Sequence, residues 1–260
     1  MSRALATTTR QLGRLLVLLL LGALALQIYF AARIALMAWV APQSTSFQRS
    51  QAWRLIVEKH ELLWSQQWVD GPAISPLLKR AVIASEDAGF TDHGGVDWDA
   101  LEKAWERNQR EEARLEKRKP KASKSVPANA ASRPAPAPKV VGGSTITQQL
   151  AKNLFLSGER HLVRKGQEFM LTMMLETLLS KQRILEIYLN EVEWGEGVFG
   201  AQAAARHYFR IDARQLSASQ AARLAVMLPA PKRFEKRPAS PYLLSRAATI
   251  EARMPAVSLP

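Results

Sequence analysis

Eighteen consecutive residues without a charge, Leu15 to Ala32, constrain this chain more than any other feature. A helix rises about 1.5 Å per residue and a bilayer core is about 30 Å thick, so this run can span it. Apolar sequence resumes after Arg33 as far as Val40. Arg3, Arg10 and Arg14 precede the run and Arg33 alone follows it closely. The positive-inside rule then makes residues 1–14 a cytoplasmic tail, 15–40 a retained anchor and 41–260 an external domain. A cleaved signal peptide, with Ala23-Leu24-Ala25 as a loose cleavage site, is the competing reading. The uncharged stretch is longer than a usual signal core, and both readings export the domain.

Charge narrows the partners. The chain carries 36 Lys and Arg against 23 Asp and Glu, a net +13 that suits a polyanion such as anionic lipid or a phosphorylated substrate. Residues 107–139 hold ten basic groups against three acids, so more than half the excess sits in one tract. Its Pro, Ala, Ser and Lys composition cannot bury enough apolar area to offset the entropy of ordering, which predicts a disordered basic insertion at about 112–139. Nucleic acid is not an expected partner, because nothing but charge supports it. The absence of cysteine excludes a disulfide scaffold, a thiolate zinc site and a cysteine nucleophile.

Within the domain, apolar spacing is helical. Leu77, Leu78, Ala81, Val82 and Ala84 predict a helix entered at Ser75-Pro76 and ending near Ser85. Residues 46–70, with Trp53, Trp64 and Trp68, read as a helical approach to it. Further helices are predicted over about 99–110, from a Ser144 cap through Leu154, over 161–179 and over 181–190. Another starts at Ser217, where Ser217-x-x-Gln220 has the form of a capping box. Gly195, Gly197 and Gly200 mark a turn. No window alternates with period two, so the expected fold class is mainly α.

Three stretches are dense in chemistry. Glu86 to Asp97 holds four further polar or acidic groups among glycines, including Asp87, Asp92 and His93, directly after an apolar helix. By itself this is an acidic loop with a hydrogen-bonded histidine, and without an H-E-x-x-H pattern no metal ligand set is predicted. Gly142-Gly143-Ser144-Thr145 leads into Gln148, Gln149, Lys152 and Asn153, where glycines before a helix can expose backbone N–H groups to an anion. Alone it is also the polar start of an ordinary helix. Arg160, Arg164 and Glu168 fall within about 80° on one helix face and Lys165 borders it. A solvated salt-bridge ladder explains the pairing, but not the gathering of cations around one acid.

In this order the stretches resemble the monofunctional, membrane-anchored branch of the biosynthetic peptidoglycan glycosyltransferases, the lipid II polymerases. Glu86-Asp87-x-x-Phe90-x-x-His93-x-Gly95-x-Asp97 matches that family's first motif, Gly142 to Asn153 its second, and Arg164-Lys165-x-x-Glu168 its third. Lys181-x-x-Ile184-Leu185-Glu186-x-Tyr188-Leu189-Asn190 matches the fourth, followed by a similar Glu193 to Gly200 run. His161 stands where the family often has Thr, and the tract between the first two motifs is longer than the family's.

The resemblance implies a lysozyme-like glycosyltransferase domain behind a single transmembrane helix. It implies polymerisation of lipid II into β-1,4 glycan, with inversion at MurNAc C1 and release of undecaprenyl diphosphate. The chain stops soon after Met254 and lacks Ser-x-x-Lys and Lys-Thr-Gly, so no transpeptidase activity is expected. Glu86 and Glu168 are the implied catalytic carboxylates. Asp87, His93, Ser144, Thr145, Gln148, Gln149, Lys152, Asn153, Arg160, Arg164 and Lys165 are the implied substrate-binding residues. No cofactor is required, although a divalent cation, magnesium or manganese, is compatible with a diphosphate site. Expected partners are lipid II, the growing glycan strand and the membrane, with transpeptidases or division proteins as further candidates; the expected location is the bacterial inner membrane with the domain periplasmic. A lysozyme-like hydrolase or lytic transglycosylase, or an anchored cell-wall scaffold, are the alternatives. Deleting Lys117–Lys139 should leave the melting temperature unchanged and substantial activity; a large drop in melting temperature would show that the tract is built into the fold.

Overall fold

The computed structural model describes residues 2–118, 143–156 and 162–260. Helix α1 (Ser2–Leu36) is long and apolar enough between Arg10 and Leu36 to cross a membrane, with a mean hydropathy of 2.4. Its C-terminal end is not a free tether. Ile34 and the following Met37 are buried in the core of the domain, and Arg183 Nε donates to the Met37 carbonyl at 2.7 Å.

The expected helical approach over 46–70 is broken into pieces. Helix α2 (Ser46–Arg54), capped reciprocally by Thr45 and Gln48, passes through a π turn at Leu55–Lys59 to left-handed His60. The chain then forms β1 (Ser65–Gln66), parallel to β3 (Val198–Phe199), which is antiparallel to β2 (Glu193–Gly195). Strands of two and three residues are too short for alternation to show in sequence. The turn before β3 requires its glycine: Gly197 has φ 72°, and a Cβ there would sit 1.9 Å from the Leu63 carbonyl oxygen. Trp64, expected in a helix, instead stacks on Phe199 at 4.5 Å.

Helices form the rest. Helix α3 (Pro76–Glu86) packs on α9 (Ala218–Met227), which is also covered by α11 (Pro241–Arg253). Buried Ala81, Ala221, Ala222 and Ala225 keep these side chains short, so the backbones approach closely. On the other side α5 (Ile146–Phe155) lies against α6 (Leu162–Leu178) and α7 (Lys181–Glu191). Helix α8 (Ala201–Phe209) and the short α10 (Pro231–Phe234) close the end near the sheet. Buried Trp194 donates from Nε1 to the Leu224 carbonyl at 3.0 Å, and Asn190 pins Val69 by exchanging two hydrogen bonds of 2.9 Å with its backbone. The mainly α expectation therefore holds, with a small sheet that the sequence did not announce.

Two boundaries differ from expectation. The N-cap of α5 is Thr145, not Ser144, because the Thr145 side chain and Gln148 close the reciprocal box. Helix α4 (Trp98–Arg118) continues past Arg110, laced by the Glu106–Arg110 and Glu111–Arg114 pairs at 3.1 and 3.5 Å. The first part of the basic tract is thus helical. Its remainder through Lys139, together with Gly142, Arg160 and His161, lies outside the described residues.

At the end of α7 a carboxylate is buried at a cost. Glu191 is 1% exposed, and burial pushes its pKa up to about 7 against hydrogen bonds from Gln48 and Gln66. The folded chain therefore holds this proton more tightly than the unfolded one, so stability falls as pH rises from about 4.3 to about 7. Glu191→Gln should leave stability at about pH 4 nearly unchanged and raise it at pH 8 by about 3 kcal/mol, read by urea unfolding at both pH values.

Candidate active site

The site begins where α3 ends. Glu86 is its last residue, and Asp87 departs from helical backbone with φ −163°. Asp87 then joins two elements with its two oxygens. Oδ1 meets His93 Nε2 at 2.8 Å, and Oδ2 accepts from the Ile146 backbone N–H at 3.0 Å. Ile146 is the first residue of α5, where an acid is favoured by the orphan amides and the helix dipole. His93 Nδ1 accepts from the Gly95 N–H at 3.1 Å, which leaves the proton on Nε2 to face Asp87. Thr145 Oγ1 completes the seam by donating to the Gly95 carbonyl at 2.6 Å. Gly95 itself has φ 91°, and a Cβ would stand 2.7 Å from Glu176 Cγ.

These bonds decide what several expected substrate contacts do. Asp87, His93, Thr145 and Gln148 direct their polar atoms at the protein itself, Gln148 accepting from the Thr145 N–H at 3.1 Å. They shape the site. Ser144 is exposed, and with Glu86, Asp97 and Arg107 it lines a cleft of about 220 Å³.

Glu86 is held from behind. Gln149 Nε2 donates to its Oε2 at 3.0 Å, and the Tyr188 hydroxyl donates to Gln149 Oε1 at 3.0 Å. Tyr188 is buried, and its burial, with the fields of Glu86 and Asp87, keeps the phenol protonated. The Glu86 carboxyl is pushed above the ordinary glutamate range by burial, opposed by Gln149 and Ser85 and reinforced by Asp87. That is the direction a proton acceptor near neutral pH needs.

The second carboxylate sits among cations. Glu168 on α6 is 4% exposed; its Oε2 pairs with Arg164 NH1 at 3.1 Å and its Oε1 with Lys165 Nζ at 2.5 Å. Lys152 on α5 lies within the electrostatic reach of Glu168, Arg164, Lys165 and Glu86 at once. Desolvation is the main reason that its pKa is lowered, with Arg164 and Lys165 acting in the same sense and the two acids against it. Asn153 follows on α5 and is 9% exposed. A half-buried base and, near it, a cluster of cations suit transfer of a group away from an anionic leaving group.

Comparisons with known proteins give the family. The family described as Transglycosylase matches residues 57–116 and 127–255. The chain belongs to this family. Its match skips residues 117–126, inside the basic tract. Proteins named biosynthetic peptidoglycan transglycosylase are similar over nearly the whole chain. The one from Paraburkholderia xenovorans is 50% identical over 91% of this chain and 88% of its own length. That from Burkholderia thailandensis is 51% identical over 91% and 83%, and that from Cupriavidus pinatubonensis 49% over 96% and 92%. The fold is accordingly the lysozyme-like one that the motifs implied.

Two residues of this candidate site had no role in the sequence reading, although Tyr188 stands in its fourth motif. Tyr188 belongs to a core stripe with Ile184, Leu185 and Ile187, so its spacing says only that it is buried. Arg107 looked like one cation of a charged tract, yet it reaches the cleft. Tyr188→Phe removes the donor that orients Gln149. It should lower kcat about tenfold and move the acidic limb of the pH–rate profile upward, because a loosened Gln149 stabilises the Glu86 carboxylate less.

Proposed function

We propose that this chain polymerises lipid II into glycan strands with Glu86 as the base and a cluster of Lys152, Arg164 and Lys165 as the acceptor of the departing diphosphate. The observation that carries the reading is Lys152, within the fields of both a carboxylate backed by Gln149 and one tied to Arg164 and Lys165. In this mechanism Glu86 takes the proton from the 4-hydroxyl of a GlcNAc as that oxygen attacks C1 of the MurNAc at the end of the growing strand. The C1–O bond to diphosphate breaks on the opposite face, so an α linkage becomes β. Diphosphate can leave as an anion, so cations take the place of the general acid of a glycosidase. Glu168 acts through its partners, holding Arg164 and Lys165 toward the phosphates. Ser144 and Asn153 complete the proposed substrate contacts, and Arg160 joins them by its place in the sequence.

A divalent cation has no obvious seat. Among the described residues no three His, Cys, Asp or Glu side chains converge, and both Glu168 oxygens already face cations. No step is routed through a metal. The cationic cluster also disfavours hydrolysis of finished glycan, whose sugar leaving group carries no charge to stabilise.

The proposed setting is the bacterial inner membrane, with α1 as a single-pass anchor and the domain on the periplasmic side. Supporting this, Trp98, Trp105, Leu162, Val163 and Phe169 are exposed on α4 and α6, and α1 packs on α6. Aromatic and aliphatic side chains in such a patch suit the lipid interface. An enzyme there avoids extracting a polyprenyl chain into water, which costs about 0.8 kcal/mol per CH₂. Transpeptidases and division proteins remain proposed partners.

Glu86→Gln should lower kcat on labelled lipid II by about 100- to 10,000-fold while the melting temperature is kept or raised; a fully active, folded variant would overturn the base assignment. Activity should rise with pH through the elevated Glu86 ionisation and fall as Lys152 loses its proton below the ordinary lysine range. Lys152→Arg should abolish that alkaline decline in a pH–rate profile.

A further inference from the structure

Gln27 is the only amide side chain in the uncharged run Leu15 to Ala32, and crossing a membrane gives no reason for it. An amide in hydrocarbon is costly unless its hydrogen bonds are made. Here they are made twice: Gln27 Nε2 donates to Gln167 Oε1 at 3.0 Å, and Gln167 Nε2 returns a bond to Gln27 Oε1 at 3.2 Å. Gln167 immediately precedes Glu168 on α6. One turn further along α1, Phe30 meets Phe155 edge-on at 5.3 Å, and the Arg33 guanidinium lies 5.3 Å above the same ring. Phe155 is three residues after Lys152 on α5. The apolar helix therefore grips both helices that carry the cationic cluster, each within a turn of the residue that matters.

We propose that α1 is a positioning element for the diphosphate site, in which the Gln27–Gln167 amide pair sets α6, and with it Glu168, Arg164 and Lys165, against Lys152 on α5. This rests on the reading of α1 as the anchor and of those cations as the diphosphate site. Gln27 is a positioning residue, since it acts through α6 and does not reach substrate. The spacing between Lys152 and its neighbours then depends on a contact made within the apolar span.

The test uses the full chain in vesicles of phosphatidylethanolamine and phosphatidylglycerol, with labelled lipid II, and compares wild type, Gln27→Leu, Gln167→Leu and the double variant. Leucine keeps α1 apolar, so insertion is maintained and is checked by flotation. Each single variant should lower kcat on lipid II about three- to tenfold with KM within twofold, and the double variant should match the singles. Gln27→Asn, which keeps an amide with shorter reach, should lie between wild type and Gln27→Leu. An unchanged kcat, multiplying effects in the double variant, or a fall in melting temperature with kcat unchanged would each overturn the proposal. Failure of the underlying reading looks different, because then wild type itself makes no polymer.

Discussion

The site depends on one carboxylate whose two oxygens are both engaged within the protein. Asp87 binds His93 with one oxygen and the first amide of α5 with the other, and so fixes the end of α3 to the start of α5. Those two ends carry the proposed base and the helix of Lys152. Neutralising Asp87 would leave a helix terminus and an imidazole without their acceptor in a buried place, where unpaired donors are costly. The acidic loop is therefore best understood as a joint between two helices, with Glu86 and Asp97 lining the cleft beside it.

This division of labour explains what could be read in the sequence and what could not. Helical spacing over Leu77–Ala84 and the cap at Ser217 set α3 and α9 correctly, because local pattern and local structure have the same cause there. Glu86, Lys152, Arg164, Lys165 and Glu168 came together as a set only through the ordered motifs of the resemblance, since each stretch alone also reads as an ordinary loop or helix face. What was not legible is direction. Nothing in a motif says whether Thr145 and Gln148 point at a ligand or at each other, and in the fold they close a capping box. Tyr188 was hidden for the opposite reason, being an aromatic in a stripe that is otherwise core. The β1–β3–β2 sheet was invisible because its strands are too short to have a period.

The two carboxylates also differ in a way that fits different tasks. Glu86 accepts from a neutral amide and is pushed toward protonation by its surroundings. Glu168 is saturated by two cationic side chains. One is set to exchange a proton, and the other to hold charge still.

Ile34 and Met37 belong to the apolar helix by sequence and to the globular core by packing. A cut at residue 41, where the chain first looks like a separate domain, would therefore remove two side chains from the interior and leave their neighbours facing a void. It follows that the last layer of the domain cannot close until the end of the leading helix is in place. Solubilising this protein by trimming its front would amount to a core mutation.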